Sequence, residues 1–355
     1  MSDHGLRGAE LARMFHTEVV GPLLARKLPR LRYAAGRLGS GSDVLGLDDA
    51  TSRDHDWGCR LTLLVDEPDS GVLPQVSELL EGELPETYRG YRVRFPVTWD
   101  DSRSHRVEVA TVAGFAASRL GVDPVGGLSV LDWLVLTGQS VLEVTAGPVF
   151  TDQTVALSQV RDTLSWYPPD VERYVLAAGW QRLEQQLPFV GRTAERGDEL
   201  GSRLLSGQLA GDLMSLGFAL SRRWAPYGKW RGTVFATLPV AASLSGLLAA
   251  AATMGAWRDR ESALAAAAET LLGVQRDRGL PAPDRAVVPF WDRPYRGIDL
   301  AVPAGLLADI TDADVARLPP GVGSVEQWAD SVDVLASPGR RSALQAAYLA
   351  WIARA

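Results

Sequence analysis

Cysteine is almost missing from this sequence: Cys59 stands alone among 355 residues. One thiol can neither close an intrachain disulfide nor build a thiolate zinc site, so a disulfide framework is excluded and a reducing, cytoplasmic setting is expected. Histidine is scarce too, and His4, His16, His55 and His105 are too scattered to form a zinc set. Positive charge is in deficit, with 36 Lys and Arg against 43 Asp and Glu and a formal net charge of −7. That balance argues against a general nucleic-acid coat, whose affinity rests on a net basic surface. The opening MSDHGLRGAELARMF lacks the charged and continuously apolar regions of a secretory leader and is expected to be mature from its start. Gly232 to Trp257 carries no charge and is long enough to span a bilayer, but Gly, Ala, Ser and Thr dominate it. It is expected to be a buried helix with Pro239 in the first turn, so no membrane partner is expected.

What is present is ordinary globular composition, 46% hydrophobic and 22% charged, in a chain long enough for two domains. The pattern predicts an α+β chain, with a mixed sheet and flanking helices over residues 1–153 and an all-helical domain over 154–355. Residues 8–28 read as an amphipathic helix and RYAAGRL (32–38) as a strand; CRLTLLV forms a second strand ending near Val65. A helix is expected over 73–83, strands over 91–97 and 105–112, a helix for SVLDWLVL and a strand for SVLEVTAGPVFTD. Beyond 154 the candidate helices are 154–165, 169–187, 198–224, 239–255, 260–276, 325–336 and 339–353. The third carries a stripe of Leu200, Leu204, Leu209, Leu213, Leu216, Leu220 and Trp224. Residues 279–323, rich in Pro and Gly, read as irregular.

The chemistry concentrates in residues 38–60, LGSGSDVLGLDDATSRDHDWGCR. Gly39, Ser40, Gly41 and Ser42 can turn N–H groups and hydroxyls toward a phosphate, because glycine permits the close approach and unusual φ that a cradle demands. Asp54 and Asp56, with one residue between them at the start of an extended segment, would project from one face and offer hard oxygens to Mg²⁺ or Mn²⁺. Glu108 alternates with Val107 and Val109 on a later strand and is the candidate third carboxylate, as metal ligand or as general base. Arg37, Arg53 and Arg60 could neutralise phosphate charge. Lys229, in APYGKW, would either complement a helix dipole or reach a triphosphate. Asp48 and Asp49 read as caps, and Trp133, Trp166 and Trp180 as core.

This arrangement resembles the polymerase-beta-like nucleotidyltransferase superfamily, whose signature is a glycine-serine pair, a spacer of about a dozen residues, an acid-x-acid pair and a later acid on another strand. Eleven residues separate Ser42 from Asp54 and thirteen separate Ser40 from it, so both serines meet the spacing. His55 departs from the family, which usually places an apolar residue between the acids. The runs GSGSDVLG, DHDWG, VEV, LEVTAGPVF, YPPDVERYVLAAGWQRL, FVGR, GDELGSRL, APYGKW and FWDRPY are also similar to a bacterial domain-of-unknown-function family, and more remotely to aminoglycoside nucleotidyltransferases, whose helical second domain closes the acceptor pocket. The resemblance implies a cytoplasmic, Mg²⁺- or Mn²⁺-dependent transferase moving a nucleoside monophosphate from an NTP to a hydroxyl or amine. The acidic net charge favours a small-molecule acceptor over tRNA or protein. Two other readings stay open, a catalytically inactive nucleotide-binding module and a toxin-type transferase acting on tRNA or protein.

Overall fold

The computed structural model describes residues 6–49, 51–52, 56–97 and 100–354. The chain packs as two compact units, Met1–Leu128 with Ser140–Ser165, and Ser129–Gln139 with Trp166–Ala355. They interleave in sequence, whereas composition and periodicity place a single change of character near residue 154.

The first unit opens with α1 (Gly8–Phe15), a π turn over His16–Val20 and α2 (Gly21–Lys27). Next come β1 (Ala34–Gly36), β2 (Arg60–Val65), α3 (Leu73–Glu83), β3 (Thr87–Tyr88), β4 (Tyr91–Arg92) and β5 (Arg106–Thr111). The run continues through α4 (Val112–Leu120), α5 (Val130–Val135), α6 (Gly138–Thr145), β6 (Val149–Asp152) and α7 (Ala156–Thr163). Of these, α5 and the first residues of α6 belong to the second unit.

Four strands form one mixed sheet in the order β5-β2-β1-β6. β1 is antiparallel to β2 and β6, and β2 is parallel to β5, with Thr62 opposite Glu108 and Arg60 opposite Arg106. A parallel pair needs a long crossover, which residues 66–105 supply together with α3. Side chains alternate across the pleat. Leu61, Leu63, Val65, Val107 and Ala35 enter a core with Leu11 and Phe15 of α1, Leu23 and Leu24 of α2, and Val76 and Leu80 of α3. Arg60, Thr62, Arg106 and Glu108 occupy the alternate positions.

Two strand expectations are corrected. Only Tyr91–Arg92 of 91–97 forms a strand; beyond it the chain makes the isolated bridges Arg94↔His105 and Val97↔Asp100, and Pro96 has no N–H for a ladder. In SVLEVTAGPVFTD, α6 takes residues up to Thr145 and the strand is confined to Val149–Asp152. Val141 and Val144 are buried three residues apart, a helical spacing, and Gly147 at φ +77° breaks the run.

The second unit is mainly helical: α8 (Pro169–Glu195), α9 (Glu199–Leu220), α10 (Gly228–Phe235), α11 (Ala241–Thr253) and α12 (Trp257–Asp277). Helices α8, α9, α11 and α12 share one core containing Trp180, Leu213, Leu244 and Leu271. Within the stretch expected to be irregular, residues 287–289 and 296–298 pair as the hairpin β7-β8 and Ala301–Ala308 forms α13. The leucine stripe of α9 is also corrected. Leu209, Leu213, Leu216 and Leu220 are buried, but Leu200 and Leu204 are 70% and 66% exposed. Leu200 and Leu209 lie nine residues apart, about two and a half turns, and therefore on opposite faces. The uncharged run from Gly232 is divided between α10 and α11, with Pro239 before the first residue of α11. No described helix is long and apolar enough to cross a membrane.

Candidate functional site

The first unit gathers its polar chemistry at one end of the sheet. β1 runs out at Gly36 where β2 and β5 begin, because β1 is antiparallel to β2 and β5 parallel to it. The turn after β1, the start of β2 and the start of β5 therefore meet. A cavity of about 440 Å³ opens there, lined by Arg37, Leu38, Ser40, Arg60, Leu61, Thr62, Val97, His105, Arg106, Val107, Glu108, Arg119 and Glu143.

The turn is held from inside. Arg37, 2% exposed, donates from Nε and Nη2 to the two carboxylate oxygens of Asp43 at 2.7 and 2.8 Å, and again from Nη2 to the Ser40 carbonyl at 2.8 Å. Such a two-pronged pair matches the planar guanidinium fork to the carboxylate. Gly39 and Gly41 take φ of +80° and +137°, and the Gly39 N–H donates to the Glu143 carbonyl at 2.8 Å. Ser40 lines the cavity. The Ser42 carbonyl instead accepts from the N–H groups of Leu45 and Leu47, closing the turn.

Arg60 donates to Ser40 Oγ at 3.4 Å. Burial is the main force on its guanidinium, lowering it to about 9; the nearby Arg37 charge acts in the same direction, while Asp43, Asp56 and Glu108 oppose it. Arg60 thus stays charged at neutral pH inside a partly desolvated wall. His105 is pushed down chiefly by burial and is neutral at the same pH. Arg106 is committed elsewhere, donating to the Phe95 carbonyl at 2.6 Å and to Asp100 at 2.8 Å.

Glu108 projects from β5 with 41% of its side chain exposed, and Arg119 Nη2 donates to both its oxygens at 2.6 and 2.7 Å. Arg119 Nε lies 3.9 Å from Glu143. The strand-helix return explains this meeting. From Glu108 to Thr111 the strand advances about 10 Å, and the helical residues to Arg119 return about 12 Å, so an arginine in the last turn of α4 comes back level with the glutamate. The Thr111 hydroxyl starts that helix, accepting from the Gly114 N–H at 2.9 Å.

Of the residues singled out in the sequence, the structure brings Arg37, Ser40, Arg60 and Glu108 to one cavity, with Arg37 paired to Asp43 and Gly39 and Gly41 shaping the turn. Asp56 is described and acts on the charge of Arg60, but it lies in a turn four residues before β2 and not on the strand as expected. Two residues on, a Cβ added at Gly58 would fall 2.7 Å from the Phe95 ring, so the approach to β2 needs glycine there. Asp54 lies outside the described residues, as do Arg53 and His55. Lys229 belongs to the second unit, exposed in the first turn of α10 with Nζ 4.8 Å from the centre of the Trp230 ring. Among the described residues no group of three or more His, Cys, Asp or Glu is placed to hold a metal.

Several residues of the site escape a reading of the sequence alone, among them Asp43, Arg106, Arg119 and Glu143. The return geometry of a strand followed directly by a helix was a usable signal for Arg119. Glu143 carried none, because its segment reads as strand.

Residues 133–231 match a family model described as a domain of unknown function, DUF4037. Of the cavity residues, only Glu143 falls within that segment. A nucleotidyltransferase-like protein from Exiguobacterium sibiricum 255-15, known from a crystal structure, is similar at a TM-score of 0.32 and 11% identity over 79% of this chain and 82% of that chain. No curated protein matches this chain.

Proposed function

We propose that the first unit is a metal-dependent nucleotidyltransferase whose cavity takes the triphosphate of an NTP. The observation that carries this reading is the convergence of the Ser40 turn, two cavity arginines and Glu108 at the meeting point of β1, β2 and β5. Ser40 and Arg60 would hold the leaving phosphates, with the buried Arg37–Asp43 pair fixing the turn that presents Ser40. In the reaction the acceptor oxygen or nitrogen attacks the α-phosphorus, the bond from that phosphorus to the bridging oxygen breaks, pyrophosphate departs, and the acceptor proton passes to a base. The donor set suits a hard cation: Glu108 offers carboxylate oxygens on the cavity wall and Asp56 stands within electrostatic range of Arg60. Glu108 and Asp56, with Asp54, would hold Mg²⁺ or Mn²⁺. A divalent cation there would neutralise charge developing on the transferred phosphoryl group. A small-molecule acceptor is favoured by the net charge of −7.

The ion pair between Glu108 and Arg119 favours a second reading, nucleotide binding without transfer, since it engages both carboxylate oxygens. Incubation with each α-labelled NTP, Mg²⁺ or Mn²⁺, and fractions of metabolites, RNA and protein separates the two. Label entering an acceptor fraction, and its loss in Glu108→Gln, is expected. Metal-independent NTP binding with no labelled fraction would establish the second reading instead.

A further inference from the structure

Resting on that reading, we infer that Arg119 is a positioning residue that couples metal to triphosphate: it holds Glu108 until phosphate oxygens draw its guanidinium away. The structure shows one arginine shared by two carboxylates of the cavity, both Glu108 oxygens at 2.6 and 2.7 Å and Glu143 at 3.9 Å. Its side chain lines the cavity and is 27% exposed, and its guanidinium carbon lies 5.0 Å from the centre of the Phe115 ring. The head thus already meets three neighbours, Glu108, Glu143 and that ring, and an exchange among them needs only side-chain rotation while α4 stays in place.

Charge decides what can enter. Among the charges that line the cavity, Arg37 is paired with Asp43 and Arg106 with Asp100, while Arg60 and Arg119 stand against Glu108 and Glu143. A divalent cation alone would have to displace Arg119 from Glu108 and would then sit beside two arginines. A triphosphate alone would meet Arg119 already neutralised and two carboxylates nearby. At such separations in a partly desolvated wall, charge–charge interactions are strong enough for these exchanges to govern occupancy. Together the two ligands satisfy every group: Arg119 turns to phosphate, Glu108 is released to the cation, and Glu143 loses its neighbouring cation. Arg119 is therefore the residue through which each ligand favours the other.

The contrary account is an ion pair that merely pins α4 to β5. The two differ in sign. With Arg119→Gln, Mn²⁺ alone, followed by loss of the free-ion paramagnetic signal, is expected to bind more tightly than to the wild type. Inorganic triphosphate without metal, followed by calorimetry, is expected to bind about tenfold more weakly, the size of a lost charge-assisted hydrogen bond. A pinning role lowers the melting temperature and moves both affinities together or not at all, which would overturn the inference. Should Arg119→Gln fail to fold by circular dichroism, Arg119→Lys carries the test, with the same opposite signs at smaller size because an ammonium cannot fork. A wild-type protein that binds neither Mn²⁺ nor triphosphate nor any NTP would overturn the nucleotidyltransferase reading itself; binding with no opposed shift in the variants would overturn only the role of Arg119.

Discussion

Arg37 grips both carboxylate oxygens of Asp43, at 2.7 and 2.8 Å, with the two residues 2% and 7% exposed. The pair is the internal support of the turn that carries Ser40, since the same guanidinium also bonds the Ser40 carbonyl. Removing one partner leaves a buried charge without its counterion. Asp43→Ala is therefore expected to destabilise the protein by about 3–5 kcal/mol in urea unfolding, and the double variant with Arg37→Met to recover part of that loss. A cost below about 1 kcal/mol would mean that water reaches Arg37 and that the turn has other supports.

Two glycines of the same turn should respond differently to a methyl group. A Cβ on Gly41 would fall 2.3 Å from Asp43 Oδ1 and 2.5 Å from Arg37 Nη2, at a φ of +137°, so it collides with the ion pair itself. A Cβ on Gly39 would meet Arg119 at 3.5 Å, an ordinary contact, and carries only the cost of its φ of +80°. Gly39→Ala is expected to cost about 1–2 kcal/mol, the ordinary left-handed penalty. Gly41→Ala is expected to cost more than that and to weaken NTP binding in calorimetry. The reverse ranking would show that the turn does not depend on the Arg37–Asp43 pair.

The legible parts of this chain are those in which one local pattern decides the outcome. Leu11 and Phe15 mark a helix, the run after Cys59 marks β2, and glycines beside Ser40 mark a turn because only that residue type suits the backbone there. The α+β architecture follows from such patterns. Sequence reasoning stops where an arrangement depends on return paths. Glu108 was visible on a strand, but its partner Arg119 is set by the length of β5 and α4 together, and Asp43 is set by which way Arg37 turns. The acids of DHD show the opposite failure: a spacing of two implies one shared face only if the backbone is extended, and Asp56 lies in a turn before β2. On α9 the leucines were present but their spacing of nine residues put them on two faces.

Cys59 offers a probe of the wall behind the cavity. It is fully buried immediately before β2, its N–H donates to the Arg92 carbonyl at 3.1 Å, and burial pushes its thiol up to about 12. A protonated, inaccessible thiol is a poor nucleophile. At about pH 8 the native protein is expected to leave an aromatic disulfide reagent uncoloured over hours, while the unfolded chain reacts at its single cysteine. Rapid labelling of the native state would show that the start of β2 opens readily.

Burial strips part of the solvation from the Arg60 guanidinium and pushes its proton affinity down from 12.5 to about 9, with the Arg37 charge acting in the same direction. The group keeps its proton at neutral pH, so the fold carries the cost of a partly desolvated cation that a phosphate can use. Triphosphate affinity, followed by calorimetry, is expected to fall about tenfold in Arg60→Gln, the size of one lost charge-assisted hydrogen bond. In urea unfolding the same variant is expected to be at least as stable as the wild type, because a neutral amide costs less to bury than a charge. A variant that loses stability and keeps its triphosphate affinity would show that Arg60 supports the turn and not the phosphate, and that the cavity wall holds the anion through other donors.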